Sequence, residues 1–149
     1  MTFLRSSTMA LLTAGLFAAL PSCAPPPDAI AAGAAVTTPA GQGGMIRVYR
    51  AFSVPVGTSA RIYLGDAFLG YVSSRSQNTF HVKPGTYRLS VKFPPGLLLM
   101  PKRTKPFTIQ KGQTLHFGVG FTGGAVSDII PLNHENGVRA NERYPSRGD

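Results

Sequence analysis

The residues able to do chemistry in this chain are few and widely separated. Its only cysteine, Cys23, closes the run Leu20-Pro21-Ser22-Cys23 behind the apolar stretch Met9 to Leu20. A single thiol in an exported chain has no internal disulfide partner, which leaves lipidation, an intermolecular bridge or a free thiol. The histidines His81, His116 and His134 lack the close spacing of a metal pair such as H-x3-H and have no carboxylate at ligand spacing. Two of them fall at outward positions of predicted strands, where solvation or a local hydrogen bond satisfies them. No serine sits in a G-x-S-x-G elbow. Asp66, Asp128 and Glu135 are the only acids in or beside the predicted domain, against the paired carboxylates that glycoside hydrolysis requires. Gly118-Val119-Gly120 and Gly123-Gly124 lack the lysine-serine pair and following helix of a phosphate loop, so they fit close backbone packing or bulges. The reading is a noncatalytic chain with no catalytic residue, no metal ligand and no dissociable cofactor.

Cys23 is therefore the residue whose surroundings carry chemistry. The apolar run behind Arg5 is about a dozen residues long, which suits the core of a secretion signal and falls short of the roughly 20 a transmembrane helix needs. Leu20, Ser22 and Cys23 resemble the leucine, small residue and invariant cysteine of the lipobox cut by signal peptidase II, while Pro21 departs from the usual small or aliphatic residue. That resemblance implies a thioether diacylglycerol on Cys23 and an acylated amino terminus. Two or three buried chains anchor a protein permanently where one myristoyl chain is marginal. Ala24 is not the aspartate associated with retention in an inner membrane, so the expected location is the cell envelope, in the outer membrane and facing the periplasm if the host has two. The alternative is ordinary signal cleavage near Ala29-Ile30-Ala31 or Ala32-Gly33-Ala34, which would leave a soluble secreted product.

The formal charge is +9, from 15 lysines and arginines against 6 acids. In a cytosolic protein such a surplus would point to nucleic acid, because basic side chains release counterions from phosphate. Export removes that partner. The polyanions outside the cytoplasm are lipid headgroups, lipopolysaccharide and acidic wall polymers, which attract a basic surface by the same unspecific electrostatics.

The elements that must position these residues follow from the hydrophobic period. Residues 1–22 read as the signal, and 23–44 as the lipidated cysteine and a flexible tether, since Pro25-Pro26-Pro27 and an Ala/Gly run offer too little large apolar surface to offset ordering entropy. From Met45 onward the period is two, and no sustained 3.6 spacing appears. Ile46 and Val48 alternate with Arg47 and Tyr49, and Ile62 and Leu64 with Arg61 and Tyr63 before the turn Gly65-Asp66. Strands follow at Phe68 to Val72 and Thr79 to Val82. Lys83-Pro84-Gly85 is expected to reverse the chain into a hairpin. Tyr87, Leu89, Val91 and Phe93 then share one face of what should be a central strand. Phe107 and Ile109, Leu115 to Phe121 and Val126 to Leu132 complete residues 45–132 as an all-β, antiparallel sandwich of 7–8 strands. The polar tail 133–149 is expected to fray after at most one helical turn.

Ile46-Arg47-Val48-Tyr49-Arg50, Ile62-Tyr63-Leu64, Phe68-Leu69-Gly70 and Val82-Lys83-Pro84-Gly85-Thr86-Tyr87-Arg88-Leu89-Ser90-Val91 resemble a PEGA-like domain-of-unknown-function family of small bacterial lipoproteins, and Ile109 to Thr114 fit its next turn. The resemblance covers nearly all of 45–132. It departs at Gly65-Asp66, where the family tends to carry Asn-Gly or Asp-Gly. It implies an immunoglobulin-like or transthyretin-like sandwich with a noncatalytic envelope role, and it brings no catalytic residues.

One surface candidate remains, the tip Leu97, Leu98, Leu99 and Met100 between prolines, with Lys102, Arg103 and Lys105 behind it. It could enter a headgroup boundary while the cations pair with anionic lipid, dock on an envelope partner, or simply close one end of the core. The expectation is thus an anchored accessory or binding module of unknown ligand. The alternative is a structural subunit or stabilising factor of an envelope assembly, pairing through a sheet edge.

Overall fold

A computed structural model describes residues 24–51, 58–93, 102–122 and 126–146. Among them the elements run α1 (Pro27–Val36), β1 (Gly44–Arg50), β2 (Ala60–Leu64), β3 (Ala67–Val72), β4 (Ser76–Val82), β5 (Gly85–Tyr87), β6 (Leu89–Lys92), β7 (Lys102–Arg103), β8 (Phe107–Ile109), β9 (Thr114–Thr122), β10 (Val126–Leu132) and α2 (His134–Arg143). The first sheet is ordered β10-β9-β1-β4, the second β3-β2-β6-β7, and β5 pairs with β8 in a short ribbon. Ile46, Val48, Phe80, Val82, Phe117 and Val119 of the first sheet and Ile62, Leu64, Leu89 and Val91 of the second belong to one buried cluster. Two sheets sharing one core make an all-β sandwich, as the period of two requires.

Alternation sets which side chains point inward, and here it holds. Leu89, Val91 and Phe93 are buried and Tyr87 packs against the same cluster. Pairing, however, differs from the expectation in three places. First, β1 runs parallel to β9, with Ile46 opposite Leu115, so the sandwich is not wholly antiparallel. Parallel neighbours need a long crossover, and the second sheet supplies it. Second, Lys83-Pro84 does not close a hairpin: β4 pairs with β1, and β5 pairs with β8. The Tyr87 hydroxyl donates to the Lys83 carbonyl at 3.0 Å, folding this strand back over the bend instead of alongside β4. Third, the expected single strand from Tyr87 divides at Arg88. Its second half, β6, does lie in the interior of its sheet, between β2 and β7.

The turn at Gly65-Asp66 joins β2 to β3 with φ of 58° at Gly65. A left-handed first position followed by an ordinary second one is the pattern of a II′ turn, which matches the twist of the strands it connects. At the far end of the core Arg50 is fully buried. Its guanidinium donates to the carbonyls of Thr58 and Val72 and lies 5.2 Å from the Phe93 ring centroid. Burial lowers its pKa to about 10, so it stays charged at neutral pH.

Both flanking segments differ from the expectation. Residues 24–44 are not a free tether, because α1 packs on β3 and Thr38 donates its N–H to the His81 carbonyl at 3.0 Å. The physical reason is close approach: an ideal Cβ on Gly33 would lie 1.9 Å from the Phe68 carbonyl oxygen, so only glycine lets the helix settle there. Alanine-rich sequence with Pro27 in the first turn suits a helix even without large apolar residues. The tail does not fray at 133 either. Asn133 caps α2 by accepting from the Asn136 N–H at 2.9 Å, and the helix continues to Arg143. No helix among the described residues is long and apolar enough to cross a membrane.

Candidate functional site

The outward face of the first sheet carries Arg47 and Tyr49 on β1, His116 on β9 and Leu132 on β10, because Arg47 and Leu132 both stand opposite His116 in register. The α2 helix lies over them. An ideal Cβ on Gly137 would sit 2.3 Å from Cγ of His116, so the helix backbone rests on the imidazole. His116 is consequently only 6% exposed, against the expectation of an outward, solvated histidine. Its Nδ1 meets the Tyr49 hydroxyl at 2.8 Å, the two rings stack at 13°, and His134 approaches edge-on at 6.2 Å. Arg47 donates to Asn141 Oδ1 at 2.6 Å, and Gln77 donates to the carbonyls of Asn141 and Tyr144. The helix is therefore docked chiefly by polar contacts, and its Val138 remains 41% exposed.

Burial, and then the charge of Arg47 and the proximity of His134, lower the His116 pKa below the ordinary histidine range. Burial raises that of Tyr49, against the pull of Arg47. The consequence has a definite sign. As pH falls through the usual histidine pKa of about 6.5, the unfolded chain takes up a proton that folded His116 resists, so stability present above that pH is lost below it. The protection factors of the α2 amides, which divide out the slower intrinsic exchange at low pH, should be smaller at pH 5 than at pH 7.5, and His116→Gln should reduce the difference. Equal protection of α2 at both pH values would contradict this.

The same His116 forms part of the wall of a second feature, a lateral cleft of about 580 Å³ between the β7–β8 connection and the β9–β10 edge. Phe107 and Leu115, half-buried against the core, form its floor with Phe117 and Ile129. Phe107 and Phe117 pack ring to ring at 5.1 Å. Pro131 stands on β10 at the sheet edge, where its missing N–H costs no ladder bond. Arg103 and Lys105, both exposed, line the mouth. Thr104 between them is held to β6, donating its N–H to the Leu89 carbonyl and accepting the Leu89 N–H on its hydroxyl, each at 2.9 Å. The backbone that carries the basic pair is thereby tied to β6 beside the cleft.

Of the sequence candidates, the structure brings Arg103 and Lys105 together at this mouth, and places the Lys102 backbone in the edge strand β7. Leu20, Ser22, Cys23, Leu97, Leu98, Leu99 and Met100 lie outside the described residues. Asp66 sits in the β2–β3 turn and Asp128 on β10, in different sheets, with the Asp128 carboxylate accepting the Ile129 N–H at 2.9 Å. Glu135 pairs with Arg139 one helical turn on, at 2.5 Å. Among the described residues no three His, Cys, Asp or Glu side chains gather as metal ligands would. Sequence reasoning missed the cleft floor and the polar layer under α2. For the latter a signal existed, the Asn133 cap ahead of ten helix-compatible residues.

Fold and site together define a small all-β sandwich with a lateral cleft, lined by Arg103 and Lys105, between the β7–β8 connection and the β9–β10 edge. No protein-family model, no curated protein and no solved structure matches the chain.

Proposed function

We propose that this protein is a lipid-anchored, noncatalytic binding module of the cell envelope, held by acyl chains on Cys23 and presenting a PEGA-like, immunoglobulin-like or transthyretin-like sandwich beside the membrane. In a host with two membranes the outer one is its place, facing the periplasm. The observation that carries the reading is the position of the sole cysteine, behind an apolar run and directly before a docked segment: Pro25 is already buried, and α1 starts at Pro27. From Cys23 to Pro27 the chain spans at most about 14 Å at full extension. Acyl chains there would hold the body close against the bilayer, where a free tether of the same segment would let it drift by roughly 25 Å. The formal charge of +8 that remains once Arg5 leaves with the signal, 14 lysines and arginines against 6 acids, suits a surface of anionic headgroups or polymers.

The test is the intact mass of the chain extracted from its native membrane, paired with Cys23→Ser. The expected result is an acylated wild type beginning at Cys23, and a variant that loses the added mass and leaves the membrane fraction. Wild-type protein that is free of lipid and soluble would overturn the proposal. Crosslinking in the native host then identifies any envelope partner.

A further inference from the structure

We infer that the lateral cleft is a binding site for a single-chain anionic amphiphile, a molecule of the fatty-acid or alkyl-phosphate kind, with its chain along the floor of Phe107, Leu115, Phe117 and Ile129 and its head at Arg103 and Lys105. The inference deepens the binding-module reading by naming the ligand class, and it stands whether or not Cys23 is acylated.

The chemistry of the walls selects the class. The floor of Phe107, Leu115, Phe117 and Ile129 is continuous with the sandwich core, so a guest there exchanges water for hydrocarbon and aromatic contact. A volume of about 580 Å³ lies inside the range of about 300 to 1,000 Å³ typical of small-ligand pockets. Among the described residues the titratable ones lining the cleft are Arg103, Lys105, His116 and His134, all basic, and no aspartate or glutamate lines it. A neutral apolar guest would leave two cations at the mouth without a counter-charge, and a cationic one would be repelled. A compact anionic head satisfies both, and a guanidinium beside an ammonium accommodates a carboxylate or phosphate equally well. Thr86 and Thr108, joined hydroxyl to hydroxyl at 2.9 Å across β5 and β8, tie down the ribbon that carries Phe107. The site is built on β8, β9 and β10 and on the β7–β8 connection, whose Thr104 is hydrogen-bonded to Leu89 of β6.

The probe is dodecanoate carrying a diazirine in its chain, applied to the full chain in zwitterionic nanodiscs if it is acylated and in buffer if it is not. The expected result is saturable photolabelling of peptides containing Phe107, Leu115 or Ile129, competed by unlabelled dodecanoate and by dodecyl phosphate but not by dodecyltrimethylammonium. Octanoate should compete more weakly, by about 15-fold for each pair of methylenes lost until the chain no longer fills the cleft. The double variant Arg103→Ser/Lys105→Ser should raise the half-saturating concentration about 30-fold, with unchanged thermal midpoint because both side chains are exposed. Pro131→Trp, which puts an indole into the opening from an edge strand, should abolish labelling by filling the space. Equal competition by the cationic analogue, labelling insensitive to the double variant, or labelling confined to Leu97 to Met100 and seen only with anionic vesicles would each overturn the inference. The last outcome would assign the cations to a membrane-facing tip instead. Anchoring is read separately by mass, so loss of the cleft site and loss of the lipid anchor are distinct results.

Discussion

Phe117→Ala is expected to lower the unfolding free energy by about 3 to 5 kcal/mol, a large share of the 5 to 15 that a domain of this size commands. The site explains the size of the effect. Phe117 is buried on β9, which is joined on one side to β1 in parallel and on the other to β10 in antiparallel register, and its ring rests on Phe107. Neighbours held by two strand ladders cannot collapse into the space, so the cost of the cavity adds to the lost burial. Urea denaturation followed by circular dichroism measures it. A change below about 1 kcal/mol would mean that the two sheets do not share the core described above.

Gly33→Val should release α1 from the sandwich while leaving the strands folded. Any side chain at 33 begins with a Cβ 1.9 Å from a backbone oxygen of Phe68, an atom that cannot rotate away. The expected cost is about 1 to 3 kcal/mol, with deuterium exchange rising through residues 27–36 and protection retained in β1 and β9. Ala31→Val, on the exposed side of the same helix, serves as the control and should leave α1 docked. Unchanged protection in both variants would show that the helix does not sit on β3. In the anchored protein the Gly33 change should also lengthen the distance between body and bilayer, since the docked helix reverts to a free chain.

Much of this architecture was legible in the residues before any coordinates. The period of two from Ile46 to Val48, Ile62 to Leu64, Leu89 to Phe93 and Phe117 to Val119 marks the inward face of each strand, because successive side chains in a strand point to opposite sides. Lys102, Arg103 and Lys105 stood out as a basic cluster behind the apolar tip Leu97 to Met100. What stayed hidden was pairing. Alternation looks the same in a strand whose neighbour runs parallel or antiparallel, so nothing in Met45 to Arg50 announces β9 as its partner. The Lys83-Pro84-Gly85 bend and the break at Arg88 were illegible for the same reason, since turn residues report that the chain bends and not which strand it meets next.

The two helices teach a complementary lesson. For α1, the count of large apolar side chains suggested no docking, but a glycine that lets two backbones touch substitutes contact for bulk. For α2, the tail is polar because its anchor is a set of hydrogen bonds from Arg47, which reads as outward within its strand, and from Gln77, which precedes the strand expected at Thr79 to Val82.

Local sequence by itself determined the β class, the inward faces, the turn at Gly65-Asp66 and the chemical singularity of Cys23, all of which depend on neighbours within a few positions. Tertiary structure alone decided that His116 is enclosed beneath Gly137, and that Arg103 and Lys105 stand at the mouth of a cleft floored by Phe107, Leu115 and Ile129. Those arrangements join residues far apart along the chain, and the joining is done by sheet pairing and core packing, whose partners are selected by the whole fold rather than by any one segment.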